Sequence, residues 1–236
     1  MGDITPSGEV RGKRWTSRRW IILGSAAIVA VVVVLVIVHL RSTKPSGLTA
    51  DRLDSALLDS NQINTIVGTD DMQISEPMLA PSKPTIALSK PQCLGALNAA
   101  QAPTYLNSGY TQFRSTEARP LFNKVDHYVA QALAIFPDAD KASAFVKHSA
   151  DQWKSCAKAT VVVMLANKLI NVWTIETVIG DPPSITVSES RREVGWRCQR
   201  AVRAASNAVI DATACGSDIT NQGSSVADRI AANISK

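Results

Sequence analysis

Four cysteines, Cys93, Cys156, Cys198 and Cys215, are the residues best equipped for covalent chemistry in this chain, and they form an even set. In an oxidising compartment an even set favours two disulfides. A metal site needs closer spacing. There is no Cys-x-x-Cys pair, and His127 and His148 stand at no ligand spacing from any cysteine, so no metal is expected. A catalytic thiol calls for an unpaired cysteine, which an even set does not offer.

Other catalytic sets are missing. There is no Gly-x-Ser-x-Gly, no Ser-x-x-Lys with a Ser-Asp-Asn partner, no His-Glu-x-x-His and no phosphate loop. His127 sits among apolar strand neighbours and reads as a core or edge histidine rather than a base. His148 reads as solvated. Asp70-Asp71 and Asp138/Asp140 have cap and turn explanations. No catalytic residue and no cofactor are therefore expected.

Binding chemistry is better represented. Arg191, Arg192, Arg197, Arg200 and Arg203 form a basic concentration. Alternation along a strand puts Arg197 and Arg203 on one face and Arg200 on the other. This reads as a solvated sheet edge or, more sharply, as an anion-binding surface for an acidic envelope polymer or lipid headgroup. Tyr105, Tyr110 and Trp173 are candidate cleft aromatics, with core packing the competing role for Trp173. The expected ligand contacts are Tyr105, Tyr110, Trp173 and Arg200.

The elements that must position these residues follow from periodicity. Thr49 can cap a helix carrying Leu53, Leu57 and Leu58. Asp59 with Gln62 can form a capping box for a short helix ending at Gly68. Four prolines in residues 77–91 predict an extended surface connection. Residues 93–102 predict a small helix. Strands are predicted over 110–116 and 125–136, the second apolar on both faces and hence central. Pro137-Asp138 then starts a helix. Its stripe is Ala142, Phe145, Val146, Ser149, Ala150, Trp153, Cys156 and Ala157. Further strands are predicted over 160–166, 171–179, 185–189, 195–203 and 208–214, with a turn at residues 181–184. A closing helix covers 225–234. The fold class is α+β, an antiparallel sheet flanked by helices.

Four cysteines allow three pairings. If residues 195–203 and 208–214 form a hairpin turning at Ser206-Asn207, opposed residues have numbers summing to 413, and Cys198 and Cys215 sum to 413. A non-hydrogen-bonded pair of this kind holds its Cα atoms ~4.5 Å apart, within disulfide range. Cys93 and Cys156 are left to pair with each other.

An unbroken apolar run from Ile21 to Val38 precedes all of this. A helix of that length spans most of a ~30 Å hydrocarbon core. Trp20 and His39 extend it to the interfaces. The run is longer than a signal-peptide core, and no small-x-small site follows it. It reads as an uncleaved single-pass anchor rather than a leader, twin-arginine or otherwise. No cysteine precedes Cys93, which excludes a lipid-modified N-terminal one.

Arg11, Lys13, Arg14, Arg18 and Arg19 lie before the run, against Arg41 and Lys44 shortly after it, so the N-terminus is expected in the cytoplasm. The expected organisation is a basic cytoplasmic tail (1–19), a transmembrane helix (20–40), a linker (41–48) and an extracytoplasmic domain (49–236). The net charge of +5 divides into +3 before residue 41 and +2 beyond it. The basic cluster is thus a topology signal and a contact for anionic lipid, and nucleic acid is not an expected partner.

The order of these features resembles a known family. Its marks are the anchor, the helical start ending at Gly68, Cys93 after a proline-containing connection, and Tyr105-Leu106-Asn107-Ser108-Gly109. Phe136-Pro137-Asp138-Ala139, Trp153-Lys154-Ser155-Cys156 and the late pair Cys198…Cys215 follow. Residues 47–236 resemble the PknH-like extracellular domain, the sensor domain of a mycobacterial serine/threonine kinase that also occurs on kinase-free proteins. The resemblance implies an antiparallel sheet with flanking helices, a cleft, and the pairs Cys93–Cys156 and Cys198–Cys215. It also implies a non-catalytic domain on the cell membrane that captures a cell-envelope ligand. A structural scaffold working through protein contacts is the alternative. With only about twenty residues before the apolar run, no kinase domain is expected on the cytoplasmic side. Any signal would pass through a membrane or envelope partner.

Overall fold

Asp59 starts a helix through the reciprocal bonds that its spacing to Gln62 allows. Its Oδ1 accepts from the Gln62 backbone N–H at 2.8 Å, and Gln62 Oε1 accepts from the Asp59 N–H at 3.2 Å. Gly68, at φ 76°, ends that helix in the left-handed region where glycine is favoured. The computed structural model in which these bonds occur describes residues 47–121, 126–192 and 195–236, together with Gly2. The chain divides into two units, Met1–Ser46 and Gly47–Lys236, and the described secondary structure lies in the second. The expected membrane helix at residues 20–40 lies outside the described residues. Among those described, no helix is long and apolar enough to cross a membrane.

The elements in chain order are α1 (Leu53–Ala56), α2 (Ser60–Val67), β1 (Met72–Ile74), β2 (Ala87–Leu88), α3 (Leu94–Leu97) and α4 (Ala102–Tyr105). They continue with β3 (Gln112–Pro120), β4 (His127–Ile135), α5 (Ala139–Cys156), β5 (Thr160–Met164), β6 (Ile170–Ile175) and β7 (Ile179–Asp181). The last are β8 (Ser184–Arg191), β9 (Arg197–Ala205), β10 (Ala208–Gly216) and α6 (Gln222–Ile234). The strands pair into one sheet in the order β1-β3-β4-β10-β9-β8-β6-β5-β2, and β7 pairs with β8 beside that path. Each of these pairings is antiparallel.

Both faces of the sheet are covered, so its central strands are apolar on both sides. On one face Ala132, Ala134, Ile185, Val202 and Val209 pack against the stripe of α5 and against α3 and α4. On the other, Leu133, Ala201, Ile210 and Ala212 pack against α6, α1 and α2. Each fully buried Ile or Leu side chain contributes roughly 2 kcal/mol by removal of apolar surface from water. Asp138 caps α5 by accepting from the Lys141 N–H at 2.8 Å. Seven of the eight stripe residues are buried; Ala157, the helix C-cap, is half-buried. Gly223 lets α6 approach β9 closely, since a Cβ there would lie 2.2 Å from the Gln199 carbonyl oxygen.

The β9–β10 hairpin has the expected register: Ala205 faces Ala208 and Cys198 faces Cys215. Ser206 takes φ 53° in the turn. Asn207 clamps the start of the domain, accepting the Leu48 N–H at 2.7 Å and donating to the Leu48 carbonyl at 3.2 Å.

Several predicted elements have different bounds, and three of the differences have a clear cause. The helix expected over 93–102 is broken into α3 and α4, with Asn98 extended and Ala100 at φ 57°. The break aims the Ala100 N–H at the buried Asp211 carboxylate, 2.9 Å away. The strand expected over 171–179 is split into β6 and β7. Ile175 faces Glu189 while Ile179 faces Thr186, so four steps on one side match three on the other and a bulge intervenes. The strand expected over 110–116 begins two residues later, at Gln112, and runs on to Pro120, where β1 pairs with it.

Candidate ligand cleft

Strand alternation on the α5 face brings Cys198 from β9 with Thr213 and Cys215 from β10 to the floor of a cleft of about 360 Å3. The two cysteines are disulfide-bonded with Cα atoms 4.0 Å apart. Arg119 of β3 and Tyr128 of β4 form one wall. The Arg119 guanidinium sits 4.8 Å from the Tyr128 ring centroid and lies 2.9 Å from Glu117 Oε2. Burial, and then the Glu117 charge, push the Tyr128 phenol well above its usual pKa.

Trp173 of β6, Arg191 of β8 and Trp196 form the opposite wall. Trp173 and Arg191 are directly opposed in the ladder, and the Arg191 N–H donates to the Trp196 carbonyl at 2.8 Å. Asn98 and Gln101, from the α3–α4 break, and Asn171 supply amides; Ile86, Leu97 and Leu165 supply apolar surface. No aspartate or glutamate lines the cleft among the described residues.

Beside the floor, on the same face of the sheet, lies a buried polar cluster. Arg200 and Asp211 are 1% and 2% exposed, and Arg200 Nη2 is 2.6 Å from Asp211 Oδ1, an ion pair without an aligned hydrogen bond. Arg200 also donates to the Ala212 carbonyl at 2.5 Å and to the Gly95 carbonyl at 3.0 Å, with its Cζ 5.2 Å from the Trp153 ring centroid. Asp211 Oδ2 accepts from the Tyr105 hydroxyl at 2.9 Å. Burial, and then the Asp211 charge, raise the Tyr105 pKa well above its usual value. Glu189, on β8, is 1% exposed, and neither carboxylate oxygen has a hydrogen-bond partner among the described residues. Desolvation raises its pKa well above the usual carboxylate range, against the opposing pull of Arg200.

Of the four expected ligand contacts, the structure brings only Trp173 to the cleft. Arg200 is not at a solvated edge: burial under α3 commits its guanidinium to protein acceptors. Tyr105 is likewise internal, stacked on Phe145 at 5.0 Å. Tyr110 is half-buried against Tyr105 and Phe113 rather than in the cleft lining. Arg119, Tyr128, Arg191 and Trp196 were not anticipated as cleft residues. Arg191 belonged to the basic concentration and opposes Trp173, a signal that strand register would have exposed. His127 opens β4 with Nε2 3.0 Å from Asp218 Oδ1, and His148 is exposed on α5. No cluster of three or more His, Cys, Asp or Glu suited to a metal occurs among the described residues.

Both expected disulfides are present, and Cys93–Cys156 spans 5.7 Å between Cα atoms, tying α5 to the segment before α3. A family model for the PknH-like extracellular domain matches residues 48–233. The chain belongs to this family. Serine/threonine-protein kinase PknH of Mycobacterium tuberculosis (strain CDC 1551 / Oshkosh) is 37% identical over 238 aligned positions, which cover 98% of this chain and 38% of the kinase. PknH of Mycobacterium bovis is also 37% identical, with 40% of its length covered. The chain thus spans well under half the length of these curated relatives. The crystal structure of the extracellular domain of PknH from Mycobacterium tuberculosis superimposes with a TM-score of 0.77 at 38% identity, over 80% of this chain and 98% of that one. The antiparallel sheet with flanking helices is therefore the fold of the PknH-like family. The family match falls on its extracellular domain and not on a kinase domain.

Proposed function

We propose that this PknH-like protein is a membrane-anchored, extracytoplasmic sensor-type domain that captures a cell-envelope ligand in the cleft and catalyses no reaction. The observation that carries the reading is the cleft itself. It is a concave site with aromatic and apolar walls, a few convergent polar groups and a disulfide-braced floor, the pattern of a preformed binding site. The anchor rests on the apolar run Ile21–Val38 with its basic flank. An alignment covering 98% of the chain leaves too few residues unaligned to omit that run, which supports a shared anchor. Two disulfides fit an oxidising compartment outside the cytoplasm. In this reading the signal is passed to a membrane or envelope partner.

A thermal-shift screen of the full chain in non-ionic detergent against envelope glycans, lipids and small metabolites tests the reading. A binder gains RT ln(1 + [L]/Kd), so a saturable rise in midpoint that disappears in Trp173→Ala supports it. A folded protein that responds to no class of compound contradicts it.

One feature favours the scaffold alternative. Val162 and Met164 share the β5 face opposite the cleft, with Ile170 beside Met164, and all three are exposed. Site-specific crosslinking at Val162 that captures one defined envelope protein, with no ligand response from the cleft, would favour that reading.

A further inference from the structure

Two arginines stand on opposite walls of the cleft, and each is coupled to an aromatic ring. Arg119 lies over Tyr128, and Arg191 faces Trp173 across the ladder. With no carboxylate in the lining among the described residues, the cleft carries a net positive charge. Among the described residues no ion pair holds Arg191, while the Arg119 partner, Glu117, lies outside the lining. The Arg119–Glu117 pair is solvent-exposed, with side chains 57% and 36% accessible, so an incoming acid competes with it at little cost. Three strands separate β3 from β8, which places the two arginines roughly 19 Å apart at the backbone at ~4.8 Å per step. They mark the two ends of the floor rather than one shared anion pocket.

Between them the lining offers indole rings and amides. Trp173 and Trp196 present flat apolar faces, and Asn98, Gln101 and Asn171 each carry both donors and an acceptor. Rings that pack on C–H faces, amides that pair with hydroxyls, and guanidinium groups that take acids bidentately suit one chemical class. We infer that the ligand is an acidic saccharide lying across the Cys198–Cys215 floor. Its acid groups meet Arg119 and Arg191, and a sugar ring packs on Trp173. This rests on the cleft reading above and names the chemistry of that same site.

The test uses the full chain in phosphatidylcholine nanodiscs and titration calorimetry. The probe is trigalacturonate, with its fully methyl-esterified form as a neutral twin. The acid is expected to bind at least about tenfold more tightly than the ester, the scale of a charge-assisted contact. Arg191→Gln and Arg119→Gln should each remove most of that preference. Arg191→Lys should keep part of it, which separates lost charge from misfolding. Trp173→Ala should weaken acid and ester alike. Displacement of trigalacturonate when phosphatidylinositol is added to the nanodisc would place the acidic sugar on a lipid headgroup; no displacement supports a soluble or polymeric chain.

Equal binding of acid and ester overturns the charge assignment while leaving the cleft reading intact. Binding of neither probe overturns the saccharide assignment, and the thermal-shift screen then decides the cleft reading separately.

Discussion

Arg200 Nη2 lies 2.6 Å from Asp211 Oδ1 on adjacent strands, and both side chains are almost wholly out of water. The pair stands beside the cleft floor, Arg200 two residues along β9 from Cys198 and Asp211 two along β10 from Thr213, and ties the α3–α4 segment to the sheet. Arg200 reaches the carbonyl of Gly95 before the helix break, and Asp211 takes the Ala100 N–H within it and the Tyr105 hydroxyl beyond. The irregular segment whose Asn98 and Gln101 line the cleft is thus fixed to the sheet.

Breaking this pair by Arg200→Met should destabilise the domain by about 3–5 kcal/mol, because it leaves a buried carboxylate uncompensated. The double variant Arg200→Met/Asp211→Leu should cost less than the sum of the two singles. Urea denaturation of the four proteins closes the cycle. Additive losses would show that the two charges do not interact.

Glu189 imposes a pH dependence of definite sign. Its pKa is higher in the folded chain than the ~4.3 of an unfolded one. Its contribution is therefore fully present below about pH 4 and is lost as pH rises toward and through the folded value. Glu189→Gln should raise stability at neutral pH and flatten the decline that sets in as pH rises above the ordinary carboxylate range. Urea midpoints followed from acid to neutral pH check it; a decline unchanged in the variant would assign it to another group.

The two disulfides should differ in weight. They close separations of 63 and 17 residues, for which loop-closure entropy gives about 4 and about 3 kcal/mol. Replacing Cys93 and Cys156 together by alanine should lower the thermal midpoint more than replacing Cys198 and Cys215. Loss of the second pair should also weaken ligand binding, because it braces the floor. A binding constant unaffected by Cys198→Ala/Cys215→Ala would show that the floor needs no brace.

Tyr105→Phe and Trp173→Ala should separate support from contact. The first removes a buried hydrogen bond to Asp211 and should cost about 1–3 kcal/mol of stability with ligand affinity retained. The second removes an indole packed partly on the core, so it should lower stability as well, and it alone should abolish the ligand response. The reverse pattern in melting and titration data would move the binding site to the Tyr105 side.

Features set by neighbouring residues were legible in the sequence. The Asp59–Gln62 capping box, the α5 stripe and the hairpin register around Ser206-Asn207 each depend on a span that periodicity or counting can reach. The break at Asn98–Gln101 could not be read that way, because its cause, the Asp211 carboxylate, lies more than a hundred residues downstream. The bulge after Ile175 is set by pairing with β8, which no local pattern encodes. The cleft suffered most from this. Tyr105 and Arg200 look like binding residues by type, and only the packing of α3 and α4 over the sheet shows that they serve the interior. Arg119 and Tyr128 became neighbours through the β3–β4 pairing.

The clamp between Leu48 and Asn207 also has a mechanical side. The domain begins at the turn of the β9–β10 hairpin, and the Cys198–Cys215 floor lies at the other end of the same two strands, about 25 Å away at ~3.4 Å per residue. A pull on residue 48 along the strand axis therefore loads the hairpin end-on. To yield, β9 and β10 must slide past β8 and β4, shearing whole ladders at once instead of unzipping them one bond at a time. The hairpin is a strut with the Leu48 clamp at one end and the cleft floor at the other.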